Sequence, residues 1–172
     1  VPAAPATLIL TPAAATNPVG SDHTVTATVR DAFTNPTPGI LVRFTVTGPG
    51  ATSGTCTTDA SGECTFTYPG PTAPGADVIT AYADTDGDAT QDAEEPTGAA
   101  EKTWTPGAPA TLVLTPPAAT NPVGTEHTVT ATVRDAFGNP TPGIVVRFTI
   151  SGPGATSGTC TTDASGECTF TY

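Results

Sequence analysis

Six of the chain's 16 carboxylates fall between residues 84 and 95, in the run D-T-D-G-D-A-T-Q-D-A-E-E. A hard divalent cation needs several oxygens from one short loop, and alternate acidic positions let the loop wrap around it. Asp84, Asp86, Asp88, Asp92 and Glu95 fall at positions 1, 3, 5, 9 and 12 of the D-x-D-x-D-G calcium loop, and Thr90 would offer its carbonyl at position 7. These six residues are the candidate Ca²⁺ ligands. The pattern departs at position 6, where Ala89 stands in place of the usual glycine and Gly87 lies two residues earlier. The alternative is a solvated acidic turn that aids solubility.

The four cysteines form two identical C-x7-C pairs, Cys56/Cys64 and Cys160/Cys168. With no histidine beside them, zinc is poorly supported. The spacing leaves either buried free thiols or one disulfide in each pair. The disulfides are the expectation, and they imply an oxidising, extracellular compartment. His23 and His127 each follow an acid, Asp22 and Glu126, but no serine or cysteine nucleophile motif accompanies them. Both are expected as surface histidines at strand starts, and no enzyme is expected. Lys102 is the only lysine; an isopeptide link to an asparagine is disfavoured because the asparagines lie in turns. Trp104, the only tryptophan, is expected in the core.

What must position these groups is visible in a repetition. Residues 5–68 return as residues 109–172, and the copies differ at eight positions: Ile9/Val113, Ala13/Pro117, Ser21/Thr125, Asp22/Glu126, Thr34/Gly138, Leu41/Val145, Val46/Ile150 and Thr47/Ser151. The 104-residue period is that of a whole small domain rather than a solenoid repeat. The expected organisation is one complete unit over 1–104, a Pro/Gly linker over 105–109 and a second unit over 110–172. That second unit is expected to lack the last two strands.

The run H-T-V-T-A-T-V-R at 23–30 alternates strictly, with Val25, Ala27 and Val29 on one side and threonines on the other. Period two is the signature of a half-buried strand. Strands are expected at 6–10, 23–30, 40–47, 52–58, 63–68, 77–83 and 99–104, with 52–58 and 63–68 forming a hairpin around 59–62. Pro12 and Pro18 confine the stretch between them to an edge or a loop. No segment has a helical period, so the expected fold is an all-β, immunoglobulin-like antiparallel sandwich.

Net charge is −11, and the basic residues are Arg30, Arg43, Lys102, Arg134 and Arg147. No basic patch can form, which excludes nucleic acid and anionic membrane as expected partners. No apolar run approaches the ~20 residues that a spanning helix needs.

The motifs L-x-L-T-P, N-P-V-G-x-x-H-T-V-T-A-T-V-R-D-A-F-x-N-P-T-P-G, V-R-F-T and T-x-D-A-S-G-E-C-T-F-T-Y occur in both copies. In them the chain resembles the bacterial Ig-like domain of the invasin/intimin type (Big-1). The resemblance implies a repeated extracellular module of a bacterial cell-surface adhesin or secreted fibre, in which most repeats are spacers. The cysteine pair departs from many members of that family. The expected role is therefore a structural spacer or stalk, with calcium at the acidic loop as its expected stiffener and with neighbouring repeats and other copies in a fibre as partners. An adhesive module that recognises a host protein or glycan through sandwich-end loops is the alternative.

Overall fold

The computed structural model describes residues 3–172. Val1 and Pro2, the start of the expected leading linker, lie outside the described residues. The chain divides into two units, Val1–Thr105 and Pro106–Tyr172. All regular elements are strands, in line with the all-β, Ig-like expectation.

Unit 1 contains β1 (Pro5–Thr11), β2 (Ala14–Pro18), β3 (His23–Asp31), β4 (Leu41–Thr47), β5 (Thr52–Thr57), β6 (Glu63–Tyr68), β7 (Gly75–Asp84) and β8 (Thr97–Thr105). They form two sheets, β1-β3-β6 and β2-β8-β7-β4-β5. Every pairing is antiparallel except β2 with β8. Alternation places Val25, Ala27 and Val29 of β3, Val42, Phe44 and Val46 of β4, and Ile79 and Ala81 of β7 in the core between the sheets. Threonines on the other parity face water, where their β-branched stems suit an extended backbone. The proline-flanked stretch forms β2, a strand at the sheet edge.

The expected hairpin does not form. β5 pairs with β4 in one sheet, and β6 pairs with β3 in the other. The turn between them carries the chain from one sheet to the other. Asp59 caps it, accepting the N–H groups of Ser61 at 2.8 Å and Glu63 at 3.1 Å. Gly62 has φ 75°, and a Cβ there would lie 2.6 Å from the Val29 carbonyl oxygen, so the turn requires glycine. Turn chemistry and alternation are the same for a hairpin as for this crossing. The difference lies in the partners, which are distant in sequence.

Unit 2 contains β9 (Pro109–Thr115), β10 (Thr128–Asp135), β11 (Val145–Ile150), β12 (Thr156–Thr161) and β13 (Glu167–Thr171). Its sheets are β13-β10-β9 and β11-β12, so the same crossing recurs between β12 and β13. Its core is small: Ala131, Val133, Val146 and Phe148, with Phe170 stacked on Phe148 at 5.0 Å.

The segment entering each unit is tied down in the same way. Asp31 accepts the N–H of Ala3 at 2.9 Å, and Asp135 accepts that of Gly107 at 2.9 Å. Each carboxylate also organises its own turn, taking N–H groups from Phe33 and Asn35 in unit 1 and from Phe137 and Asn139 in unit 2. In that turn Thr34 has φ 65° and its counterpart Gly138 has φ 84°, so the second copy places glycine where the left-handed backbone favours it. The Asn35 side-chain amide, and the N–H groups of Ala3, Asn35 and Phe33 against the opposing effect of burial, hold the Asp31 carboxyl at about 2. Asp135 is likewise lowered: burial raises it, but the bonds from Asn139, Gly107 and Phe137 outweigh that. A folded carboxyl below its unfolded value stabilises above the unfolded value and loses that contribution as pH falls through the folded one. Acid titration is therefore expected to loosen the unit 1 entry segment between about pH 4 and about pH 2, and the unit 2 entry segment as the Asp135 carboxyl protonates below its ordinary range. Asp31→Asn should remove the unit 1 part of that loss, as read by amide exchange at Ala3 and Asn35.

Candidate metal site

The acidic run forms the connection between β7 and β8. Asp84 ends β7, opposite Leu41 on β4, and is buried. Arg43, two residues along β4, reaches it with Nε at 2.6 Å from Oδ2. The other oxygen of Asp84 accepts the Gly87 N–H at 2.7 Å. Asp86 and Asp88 are exposed, and each uses Oδ1 for a loop N–H, from Asp88 at 3.1 Å and from Thr90 at 2.7 Å. One carboxylate oxygen from each of Asp84, Asp86 and Asp88 lies within 4.8 Å of the others. These three of the six expected ligands are brought together.

Glu95, expected at the last ligand position, is buried and faces the loop backbone. Its Oε1 accepts the Thr85 N–H at 2.7 Å, and its Oε2 accepts the Asp92 N–H at 3.1 Å. It therefore closes the loop on itself. The bond from Arg43 holds the Asp84 carboxyl below the ordinary range despite burial. Asp92 is raised, first by the charge of Asp88, then by burial and by Asp86, Glu95 and Glu94. The loop therefore concentrates negative charge around Asp88. Ala89, at the position expected to need glycine, takes φ 67°, and Gly87 takes φ 81°. The backbone makes the left-handed turn despite the Cβ, at a cost of about 1–2 kcal/mol.

Each cysteine pair is bonded, Cys56 to Cys64 and Cys160 to Cys168, with Cα atoms 5.8 Å apart in both. Since β5 and β6 belong to different sheets, the Cys56–Cys64 bond joins the two layers of the sandwich at one edge. It does not lie beneath a hairpin.

The structure corrects the reading of His23. It is buried, edge-on to Tyr68 at 5.7 Å and to Trp104 at 6.4 Å, and is not a surface residue. Burial first, and then the charge of Lys102, lower its pKa, with Asp77 opposing. The counterpart His127 is half-buried against Tyr172. Lys102 is fully buried, with its ammonium 4.3 Å from the centre of the Trp104 ring. Burial lowers its pKa and Asp77 opposes the shift. Trp104 lies in the core, as the sequence suggests.

Asp77 is the residue that the sequence reading missed. It is fully buried and accepts three hydrogen bonds, from Gly50 N–H at 2.8 Å, Tyr68 O–H at 3.2 Å and Trp104 Nε1 at 2.6 Å. Its position was a signal: it shares parity with Ile79 and Ala81, both buried.

A family model described as bacterial Ig-like domain (group 1) matches residues 7–94 and 109–172. Among solved structures, the Yersinia pseudotuberculosis adhesin InvE is 22% identical over 96% of this chain and 50% of its own, with a TM-score of 0.47. Invasin, a bacterial integrin-binding protein, is 22% identical over 96% of this chain and 35% of its own, with a TM-score of 0.47. The D0-D1 domain of intimin is 16% identical over 97% of this chain and 83% of its own, with a TM-score of 0.43. This chain thus spans half the length of the InvE structure. No curated protein matches it.

Proposed function

The chain belongs to the bacterial Ig-like domain family (group 1), and on that premise we propose that it is a calcium-stabilised spacer from a bacterial surface adhesin or secreted fibre. The observation that carries the spacer role is the duplication itself: both units keep the same crossing between sheets, the same cross-layer disulfide and the same tether on the entering segment. What is repeated is mechanical. The disulfides suit an oxidising setting outside the cell. Isolated chain should show no binding to host glycans or receptor proteins; saturable binding of one such ligand would replace the spacer by an adhesive module.

The calcium part rests on the three converging carboxylates and on the left-handed Ala89. Asp84, Asp86 and Asp88 would hold the ion, with the Thr90 carbonyl and Asp92 as further oxygens and Glu95 closing the loop. A bound cation would relieve the repulsion that raises Asp92 and so fix the connection leading into β8. Extracellular calcium modules work with dissociation constants of about 0.1–1 mM. At tenfold that concentration, binding to the folded state alone adds about 1.4 kcal/mol, or about 6–11 °C in the unit 1 melting temperature. Calorimetry with calcium and with chelator measures this, and Asp86→Asn/Asp88→Asn should abolish the rise. Identical curves in every condition would leave a solvated turn. Scattering-derived length, measured alongside, tests whether calcium also stiffens the chain.

A further inference from the structure

His23 opens β3 and is buried among rings. Tyr68 of β6 meets it edge-on at 5.7 Å and Trp104 of β8 at 6.4 Å, and the Tyr68 and Trp104 rings are edge-on to each other at 6.2 Å. Two turns, residues 18–22 and 69–71, lie beside these rings as a cover. Gly20 N–H donates to the Pro71 carbonyl at 2.9 Å, and Val19 N–H donates to that of Thr105, at the end of β8, at 2.9 Å. The cover is seated tightly. A Cβ on Gly70 would clash with the Ser21 carbonyl oxygen and lie 2.9 Å from the Trp104 ring.

The interior suits a neutral imidazole and not a charged one. His23 Nε2 is buried and meets no hydrogen-bonding group. On a neutral ring it can be a bare acceptor, but protonation makes both ring nitrogens donors. A buried cationic N–H without an acceptor is costly. Among the described residues, the titratable groups facing the ring are Tyr68 of β6, Asp77 of β7 and Lys102 of β8; Asp22, next in the chain, is exposed. Burial holds the Tyr68 hydroxyl above its ordinary value, so it remains a neutral donor. The Asp77 carboxylate already accepts from Gly50, Tyr68 and Trp104. Lys102 is a buried cation of its own. A proton on His23 would add a second buried cation beside one carboxylate that is already engaged.

We propose that His23 is an acid-operated latch in unit 1: a proton on its ring opens the cover at residues 18–22 and 69–71, admits water to Nε2 and frees Trp104 and the end of β8. The cover is the wall that gives. β3 and β6 are paired from His23 to Thr28, and β7 and β8 are paired from Gly75 to Tyr82, whereas the two turns are held by isolated backbone bonds. Burial first, and then Lys102, hold His23 below its ordinary value, so the open form takes the proton more readily. The latch is therefore fully closed above about pH 6.5 and loosens as pH falls from there toward the folded value, with the opening constant rising by up to about tenfold per pH unit. This window lies above the one set by Asp31. The latch depends on neither the spacer role nor the calcium loop.

The test is amide exchange on the full chain, in chelator, at about pH 7 and about pH 5. Protection is taken relative to the unstructured rate at the same pH, so it reads the opening constant. The expected result is a fall in protection of about tenfold or more at Val19 and Gly20, with Phe44 in the core changing less. His23→Phe, whose ring can keep the edge-on contacts and cannot titrate, should remove the fall. Lys102→Met, which takes away the neighbouring cation, should shrink it. Where His23→Phe does not fold, proton resonance of the wild type decides: the His23 ring signal, assigned by its contacts with Tyr68 and Trp104, should titrate below the ordinary value and in step with the loss of protection. The proposal is overturned if Val19 and Gly20 are equally protected at both pH values, or if the fall persists in His23→Phe. It is also overturned if Phe44 falls by the same factor, or if the His23 ring titrates apart from the opening.

Discussion

Asp77→Ala is expected to destabilise unit 1 by about 3–5 kcal/mol, the cost of removing one partner from a buried charged cluster. The carboxylate is fully buried and is the common acceptor for Gly50 N–H, the Tyr68 hydroxyl and the Trp104 indole N–H. Removing it orphans those buried donors at about 1–3 kcal/mol each, less whatever water can enter and satisfy. It also leaves Lys102 buried without the negative charge that opposes the lowering of its pKa. Against a total of about 5–15 kcal/mol for a typical domain, this is a large fraction. Trp104 is the only tryptophan and lies in unit 1, so its fluorescence in a urea titration reports that unit alone. A midpoint within error of the wild type would show that Asp77 is not the centre of the cluster. Lys102→Met is the informative companion. A linear apolar chain can cover the Trp104 ring, and Asp77 keeps its three hydrogen-bond donors, so the change should cost clearly less than Asp77→Ala. If instead it costs as much as Asp77→Ala, the lysine and the aspartate act as one unit.

Reduction of the disulfides is expected to separate the two units. Each bond closes a short loop, with a sequence separation of 8, and on the chain-entropy account each contributes about 2.5 kcal/mol. The sum is the same for both units, but the consequence is not. Unit 1 has a core that includes Trp104, Tyr68, Phe44 and Ile79. Unit 2 has the small group around Val133, Val146 and Phe148. In unit 2 the Cys160–Cys168 bond joins β12 and β13, which belong to its two separate sheets. Under a reductant, unit 2 should therefore lose amide protection first, while Trp104 fluorescence stays native. Cys160→Ala/Cys168→Ala should reproduce that loss, and Cys56→Ala/Cys64→Ala should lower the unit 1 midpoint without unfolding it at room temperature. Simultaneous loss from both units would mean that core size does not set the order. Intact mass under non-reducing conditions, four hydrogens below the reduced chain, checks that both bonds are present.

Much of unit 1 is set locally, and so it can be read from the chain. The alternation at 23–30 fixes both the strand and its buried face, because side chains point to opposite faces with period two whatever the partner strand is. The inward positions of β4 and β7 follow for the same reason. The repeat length fixes the number of units, and the cysteine spacing places each pair within bonding reach. The acidic run is likewise local: the spacing of Asp84, Asp86 and Asp88 already puts three carboxylates on one turn.

Which sheet a strand joins is not local. The segments at 52–58 and 63–68 carry turn residues and alternation that a hairpin would share, and only their pairing with β4 and β3 sends them to opposite layers. The same holds for the polar core. His23, Asp77 and Lys102 look like surface residues one at a time, since burying any of them alone is costly. Together with Tyr68 and Trp104 they bring donors, an acceptor and ring faces to one place, and β7 and β8 assemble them from segments far apart in sequence. Glu95 shows the same limit within the loop. Its spacing offers it to a cation, but the fold turns it onto the N–H groups of Thr85 and Asp92. The sequence alone thus determined the strands, their buried faces, the repeat and the cysteine pairing, because periodicity and spacing act over a few residues. The sheet partners and the buried charges were decided only in the tertiary structure, where desolvation cost is offset by partners brought from elsewhere in the chain.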